Sequence, residues 1–129
     1  MNRRQRGIAV YANQFGVSTA EAERIFTERY GERMADEAFN AQGGSTWEAD
    51  ALSLRDRSLI VLAALITQGG VESRLRQHVG WALEHGATAE ELEALATLLA
   101  VYAGYPRASV GMEVIRDVLT NGNQDGEDR

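Results

Sequence analysis

The chain has 129 residues, of which 44% are hydrophobic, and its formal net charge is −6. This length fits about one domain with a modest core, and the acidic balance argues against nucleic-acid and anionic-membrane partners, which bind basic surfaces. The sequence contains no cysteine, which excludes disulfides, thiolate nucleophiles and cysteine-ligated metal centres.

The start of the chain and its most apolar run bear on its location. No charged-then-apolar leader opens the sequence, and the run from Leu59 to Ile66 is too short to span a bilayer. We therefore expect a cytoplasmic protein without a membrane segment.

Three short helices are predicted in the N-terminal part. Apolar spacing predicts a first helix over residues 4–15. Ser18 and Glu21 form a capping-box pattern, which predicts a second helix from there to about Tyr30. A third helical segment is expected to end at the break NAQGG, residues 40–44.

Ser45 and Glu48 repeat the capping-box pattern around Trp47. Trp47 precedes the most apolar part of the chain. Its ring either covers the end of the next helix as a packing residue or forms the wall of a pocket.

The first of three central helices is predicted over about 53–68, with Ser53 and Asp56 at its start. Every residue from Leu59 to Ile66 is apolar. A helix that is apolar all round is expected to be buried on several sides, both in the core and at a subunit interface.

Arg55 and Arg57 lie in the first turns of this helix, where a cation opposes the helix dipole. Both are therefore expected to have partners elsewhere. These partners are either carboxylates in surface salt bridges or an anionic substrate or interface carboxylate.

The second central helix, about 71–85, contains both histidines of the protein. Steps of four and three residues define one apolar stripe, which consists of Val71, Leu75, His78 and Ala82 and is widened by Val79 and Leu83. Arg74, Trp81 and His85 form a polar and aromatic ridge beside it. His78 is the best candidate for acid–base chemistry, because imidazole titrates near neutral pH and the stripe directs it inward. The alternative is a core histidine bonded to a backbone carbonyl.

The third central helix, about 89–103, begins with a further capping-box pair, Thr88 and Glu91. Its apolar side is predicted to consist of Leu92, Leu95, Ala96, Leu98, Leu99 and Tyr102. The phenol of Tyr102 either packs in the core or donates to a ligand.

Gly104 and Pro106 are expected to break the chain before a last helix over 107–119. Residues 121–129 are polar and are predicted to be disordered. Residues 1–120 therefore read as a single all-α domain of about six helices.

The sequence does not favour metal or cofactor chemistry. His78 and His85 are separated by about 10 Å of helix rise, so they cannot chelate one ion together. The chain shows no HExxH motif, no GxSxG elbow and no phosphate-binding glycine loop. We expect neither a metal nor a cofactor.

The central stretch resembles the carboxymuconolactone decarboxylase family. The resemblance rests on three motifs: the start LSLRDRSL at Leu52, the pattern His-x3-Ala-x3-Gly-x-Thr-x-Glu-Glu from His78 to Glu91, and the ending Val-Tyr-Ala-Gly-x-Pro-x-Ala from Val101 to Ala108. It implies an all-helical, alkylhydroperoxidase-like fold that assembles into homo-oligomers, trimers or hexamers.

The resemblance implies two chemistries, a cysteine-dependent peroxidase and a cofactor-independent decarboxylase. The peroxidase branch is rejected, because the positions of its two cysteines fall near Val71 and Arg74 and the chain has no thiol. The decarboxylase branch acts on 4-carboxymuconolactone in aromatic catabolism, so a small carboxylate or lactone is the implied substrate.

For such a reaction, His78 is the implied proton-transfer residue. The substrate-binding candidates are Arg74 and Arg57 as anion contacts and Trp47, Trp81 and Tyr102 as walls. The family usually has an acid where this chain has Ala94, and often a histidine where it has Leu98. These departures keep open a repurposed family member in another pathway, or a non-catalytic binding or scaffold oligomer.

Overall fold

The computed structural model describes residues 1–47 and 51–122. All regular structure in these residues is helical, which confirms the all-α prediction, with seven α-helices instead of about six. The elements are α1 Arg3–Phe15, α2 Thr19–Tyr30, α3 Glu32–Gln42, a 3₁₀ turn Ser45–Trp47, α4 Leu54–Gln68, α5 Glu72–Glu84, α6 Ala89–Tyr102 and α7 Tyr105–Asn121.

Contacts divide the chain into two compact units, one up to residue 50 and one from residue 51 onward. Each unit is described by itself, and the single domain over 1–120 stays a prediction. No helix in the described part of the chain is long and apolar enough to cross a membrane.

Side-chain capping sets four of the seven described helix starts, at Asn2, Ser18, Ser53 and Thr88. Ser18, Ser53 and Thr88 each accept a hydrogen bond from the backbone N–H three residues later. At Thr88 the reciprocal bond from its own N–H to the Glu91 carboxylate completes the capping box, at 2.9 Å. These three predicted starts are confirmed. The fourth pattern involves Glu48, which lies outside the described residues.

The first unit packs α1 against α2 and α3 around an aromatic core. Phe26 and Phe39 are buried, with ring centroids 5.3 Å apart, and Tyr11 packs on both. Gly7 lies where α1 meets α3, and a methyl group on it would overlap the Phe39 carbonyl. The close approach of these two helices therefore requires glycine at this position.

The second unit packs α4, α5, α6 and α7 around one aliphatic core. Its largest fully buried side chains are Leu62 and Ile66 of α4, Val79 of α5, Leu92 of α6 and Ile115 of α7. Each of the four helices contributes one apolar face to this core, as the helical spacing of apolar residues predicts.

Two predicted apolar surfaces are only partly covered in the single chain, and the subunit interface expected on α4 stays a prediction. In the run from Leu59 to Ile66, only Leu62 and Ile66 are buried, and Ile60 is 55% exposed. On α6, Leu98 and Tyr102 are 60% and 81% exposed. Three neighbouring helices cover only one arc of a helix, so its remaining apolar residues stay at the surface.

Two predicted boundaries also differ. Helix α3 continues to Gln42, into the segment taken as a break. Helix α7 begins at Tyr105 with Pro106 in its first turn, where proline is favourable because the missing N–H has no helical partner there. It extends to Asn121, and the rest of the predicted disordered tail, from residue 123, lies outside the described residues.

We expect Gly7→Ala to destabilise the protein by about 1–3 kcal/mol, because the added methyl group must push α1 away from α3. Gly44→Ala is the matched control, since its methyl group would meet only the end of the Arg3 side chain, at 2.8 Å. Urea denaturation of both variants checks this. Equal midpoints for the two variants would contradict the packing role of Gly7.

Candidate functional site

Helices α4 and α5 form an antiparallel pair joined by a tight turn. Gly69 ends α4 with a φ of 71°, a conformation that favours glycine. Arg107 of α7 donates a hydrogen bond to the carbonyl oxygen of Gln68, at the C-terminal end of α4. The turn is thus held by backbone geometry and by a cation at the negative end of the helix.

His78 lies near the middle of α5, at the edge of the buried face. Leu75, Val79 and Ala82 are the buried residues of this helix, and His78 is partly buried beside them. The buried face therefore follows the Val79 side of the predicted stripe, and His78 lies at its edge. The imidazole packs edge-on against the indole of Trp81, with ring centroids 4.8 Å apart and an interplanar angle of 85°.

The surroundings of His78 disfavour its protonated form. Burial, and then the positive charge of Arg74, lower the pKa of His78 to about 4. The imidazole is therefore neutral at pH 7, with one nitrogen able to donate and the other to accept a hydrogen bond.

The structure brings three predicted site residues together on α5: Arg74, His78 and Trp81. The other three lie elsewhere. Arg57 is on α4 and only 8% exposed, and Tyr102 is at the exposed end of α6. Trp47 belongs to the 3₁₀ turn of the first unit.

The second histidine has a contact that the sequence analysis missed. His85 ends α5, and its Nδ1 lies 2.7 Å from the hydroxyl oxygen of Ser58, which is buried at 3% exposure. The two positions lie at comparable distances from the α4–α5 turn, Ser58 ten residues before Gln68 and His85 thirteen residues after Glu72. An antiparallel pairing of the two helices would therefore have suggested this contact. His85 therefore links the C-terminal end of α5 to the N-terminal part of α4.

Arg55 lies in the first turn of α4, three residues before Ser58. It pairs with Asp56 at 2.8 Å and with Glu91, the capping residue of α6. The surface salt-bridge interpretation is thus correct for Arg55. The Arg55–Glu91 pair joins the first turns of α4 and α6.

The α5 arrangement offers a neutral imidazole, a guanidinium close enough to act on it, and an aromatic wall. Such a set can transfer a proton and hold a carboxylate. Within residues 1–47 and 51–122, no group of three His, Asp or Glu side chains is placed to hold a metal ion.

These features define an all-α protein whose candidate site is a shielded histidine beside an arginine. The profile of the Carboxymuconolactone decarboxylase family matches residues 34–117, well over half of the chain. The chain belongs to this family.

One curated relative is named 4-carboxymuconolactone decarboxylase and comes from Acinetobacter baylyi. It is 32% identical over 76 residues, which cover 59% of this chain. The match spans only 56% of that relative's length. No solved structure matches the chain significantly.

Replacing Arg74 by glutamine should raise the pKa of His78, because it removes the nearby positive charge. The pKa should stay below its ordinary value of about 6.5, since burial is the larger cause. An NMR titration of the imidazole protons checks this. Arg76→Gln is the control on the same helix, because Arg76 pairs with Asp117. An unchanged pKa in Arg74→Gln would contradict the coupling.

Acid should destabilise the fold through His78. With a pKa of about 4 in the folded state and about 6.5 when unfolded, the unfolded chain binds more protons between these values. The stabilisation is therefore complete above pH 6.5 and is lost as the pH falls toward 4.

From pH 7 to 4.5 this loss should amount to about 2–3 kcal/mol of unfolding free energy. Urea denaturation of wild type and His78→Gln at both pH values measures it. The variant should lose less stability than wild type, and equal losses would show that His78 is not the group responsible.

Proposed function

We propose that the chain is a cofactor-independent decarboxylase of a small carboxylated lactone, resembling 4-carboxymuconolactone decarboxylase. The observation that carries the proposal is His78, a shielded, neutral imidazole with Arg74 acting on it from the same helix. Membership of the family and the printed name of the Acinetobacter relative support this choice of reaction.

The reaction needs little beyond placement and charge. The C–C bond to the substrate carboxylate breaks, CO₂ leaves, and the electron pair delocalises onto the lactone carbonyl. Arg74 or Arg57 stabilises that developing negative charge, and a proton is then delivered to carbon. One proton is consumed for each CO₂ released.

His78 is proposed to deliver this proton. In the free protein the imidazole is neutral, because burial and Arg74 oppose its charging. A bound substrate anion would offset the Arg74 charge and favour the imidazolium, since an opposite charge nearby stabilises the protonated form. Substrate binding would thus favour protonation of His78, the form that donates the proton.

The aromatic candidates are proposed as walls that keep water out. Trp81 already packs against the imidazole, at 4.8 Å between centroids. Trp47 and Tyr102 remain candidates for the outer wall.

We propose that the protein works as a homo-oligomer, a trimer or hexamer. Its second unit exposes large apolar side chains where α6 ends and α7 begins, which are Leu98, Val101, Tyr102 and Tyr105 at 60%, 78%, 81% and 73% exposure. Leu98, Val101 and Tyr102 belong to the C-terminal half of α6 and Tyr105 begins α7, and a contiguous exposed apolar patch of this kind is typical of an interface. A second copy covering this patch would also shield Tyr102 and change its role from surface to wall.

A second candidate function is a repurposed enzyme or a non-catalytic binding oligomer with the same fold. Ala94 and Leu98 favour it, because both are exposed on α6 and supply neither the acid nor the histidine usual in the family.

Incubation with enzymatically generated 4-carboxymuconolactone tests the leading proposal. The protein should consume the lactone faster than it decays spontaneously, and His78→Gln should lower kcat about 10²–10⁴-fold. His85→Gln is the matched control and should keep kcat within a few-fold of wild type.

The outcomes separate the proposals. No acceleration by the wild-type protein would remove this substrate and favour the second candidate. Acceleration that survives in His78→Gln would leave the reaction in place but reject His78 as the acid.

A further inference from the structure

A cavity lies at the N-terminal end of α5, opposite to the end that carries His85. It has a volume of about 150 Å³ and opens where the α4–α5 turn meets the start of α7. Its apolar wall comes from Leu65 and Ile66 of α4, Leu75 of α5 and Val110 of α7. An apolar cavity of this volume can hold a benzene-sized molecule.

One cation borders this cavity in a fixed position. Arg107 donates from Nη1 to the Gln68 carbonyl and packs so closely on Gly69 that any side chain there would collide with the guanidinium. Among the described residues its hydrogen-bond partner is the Gln68 carbonyl, which leaves its other N–H groups for an anion. The guanidinium is thus held at the edge of the apolar cavity, and its paired N–H donors suit the two oxygens of a carboxylate.

One anion also borders the cavity. Glu72 lies in the first turn of α5, and its side chain is exposed. Its negative charge opposes a second anionic group on the ligand, because like charges brought together in a partly desolvated site repel. The cavity lining thus carries one positive and one negative charge, which favours a ligand with a single negative charge over one with two.

We propose that this cavity binds a small apolar monocarboxylate, with its ring or branched chain among Leu65, Ile66, Leu75 and Val110 and its carboxylate on Arg107. The site goes beyond the proposed decarboxylation, since neither His78 nor Arg74 lines this cavity. Benzoate is the simplest probe, because its ring matches the volume and its charge matches Arg107.

Ligand-observed NMR titrations with benzoate, benzyl alcohol and phthalate test the site on the intact protein. Benzoate should bind with a dissociation constant in the millimolar range, which is ordinary for so few atoms. Benzyl alcohol, which lacks the charge, and phthalate, which adds a second carboxylate, should each bind about tenfold more weakly.

Two variants locate the binding. Arg107→Gln should weaken benzoate binding about tenfold or more, because it removes a charge-assisted bond. Arg116→Gln is the matched control on the same helix, since Arg116 pairs with Glu93 at 2.9 Å and does not line the cavity. Arg107 also holds the turn, so Val110→Phe provides a second variant that fills the cavity and leaves the cation in place.

Loss of benzoate binding in both Arg107→Gln and Val110→Phe, with Arg116→Gln unaffected, supports the site. Equal binding of benzoate and benzyl alcohol, or unchanged binding in Val110→Phe, overturns it. The titrations involve no turnover, and His78→Gln should bind benzoate like wild type. Failure of this proposal is therefore distinguishable from failure of the decarboxylase proposal.

Discussion

The antiparallel contact between α4 and α5 is the constraint on which the second unit depends. Leu62 and Ile66 of α4 and Val79 of α5 form much of its core, and the Gly69 turn permits the reversal. Both ends of the pair are tied, one by Arg107 at the turn and the other by the Ser58–His85 contact. The Ser58–His85 contact and the buried face Leu75, Val79 and Ala82 set the rotation of α5 about its own axis.

The rotation of α5 gives the two histidines different surroundings. His78 lies against Trp81 at the edge of the core, where burial and Arg74 keep it neutral. His85 lies at the end of the helix and bonds to Ser58. Two residues of one type, seven positions apart, thus have a candidate chemical role and a structural role. The difference arises from burial and neighbours, since the two side chains are chemically identical.

The helix starts could be predicted well because capping is local. Ser18, Ser53 and Thr88 each act within three residues of themselves, so no tertiary information is needed to recognise them. Burial could be predicted less well. An apolar run such as Leu59 to Ile66 indicates that its residues can be buried. Which of them are buried depends on how many helices pack around α4. For this reason Ile60 and Tyr102 proved to be exposed in the single chain.

The sequence by itself determined the all-α class, most of the helix limits, the family and His78 as the candidate residue, because each depends on local spacing or on contiguous motifs. Tertiary structure alone decided that His78 is held neutral beside Trp81, that His85 reaches Ser58 across 27 residues, and that Arg107 borders a cavity. The physical reason is that burial, electrostatic shifts and cavities depend on residues distant in the chain. Their approach is set by how the helices pack.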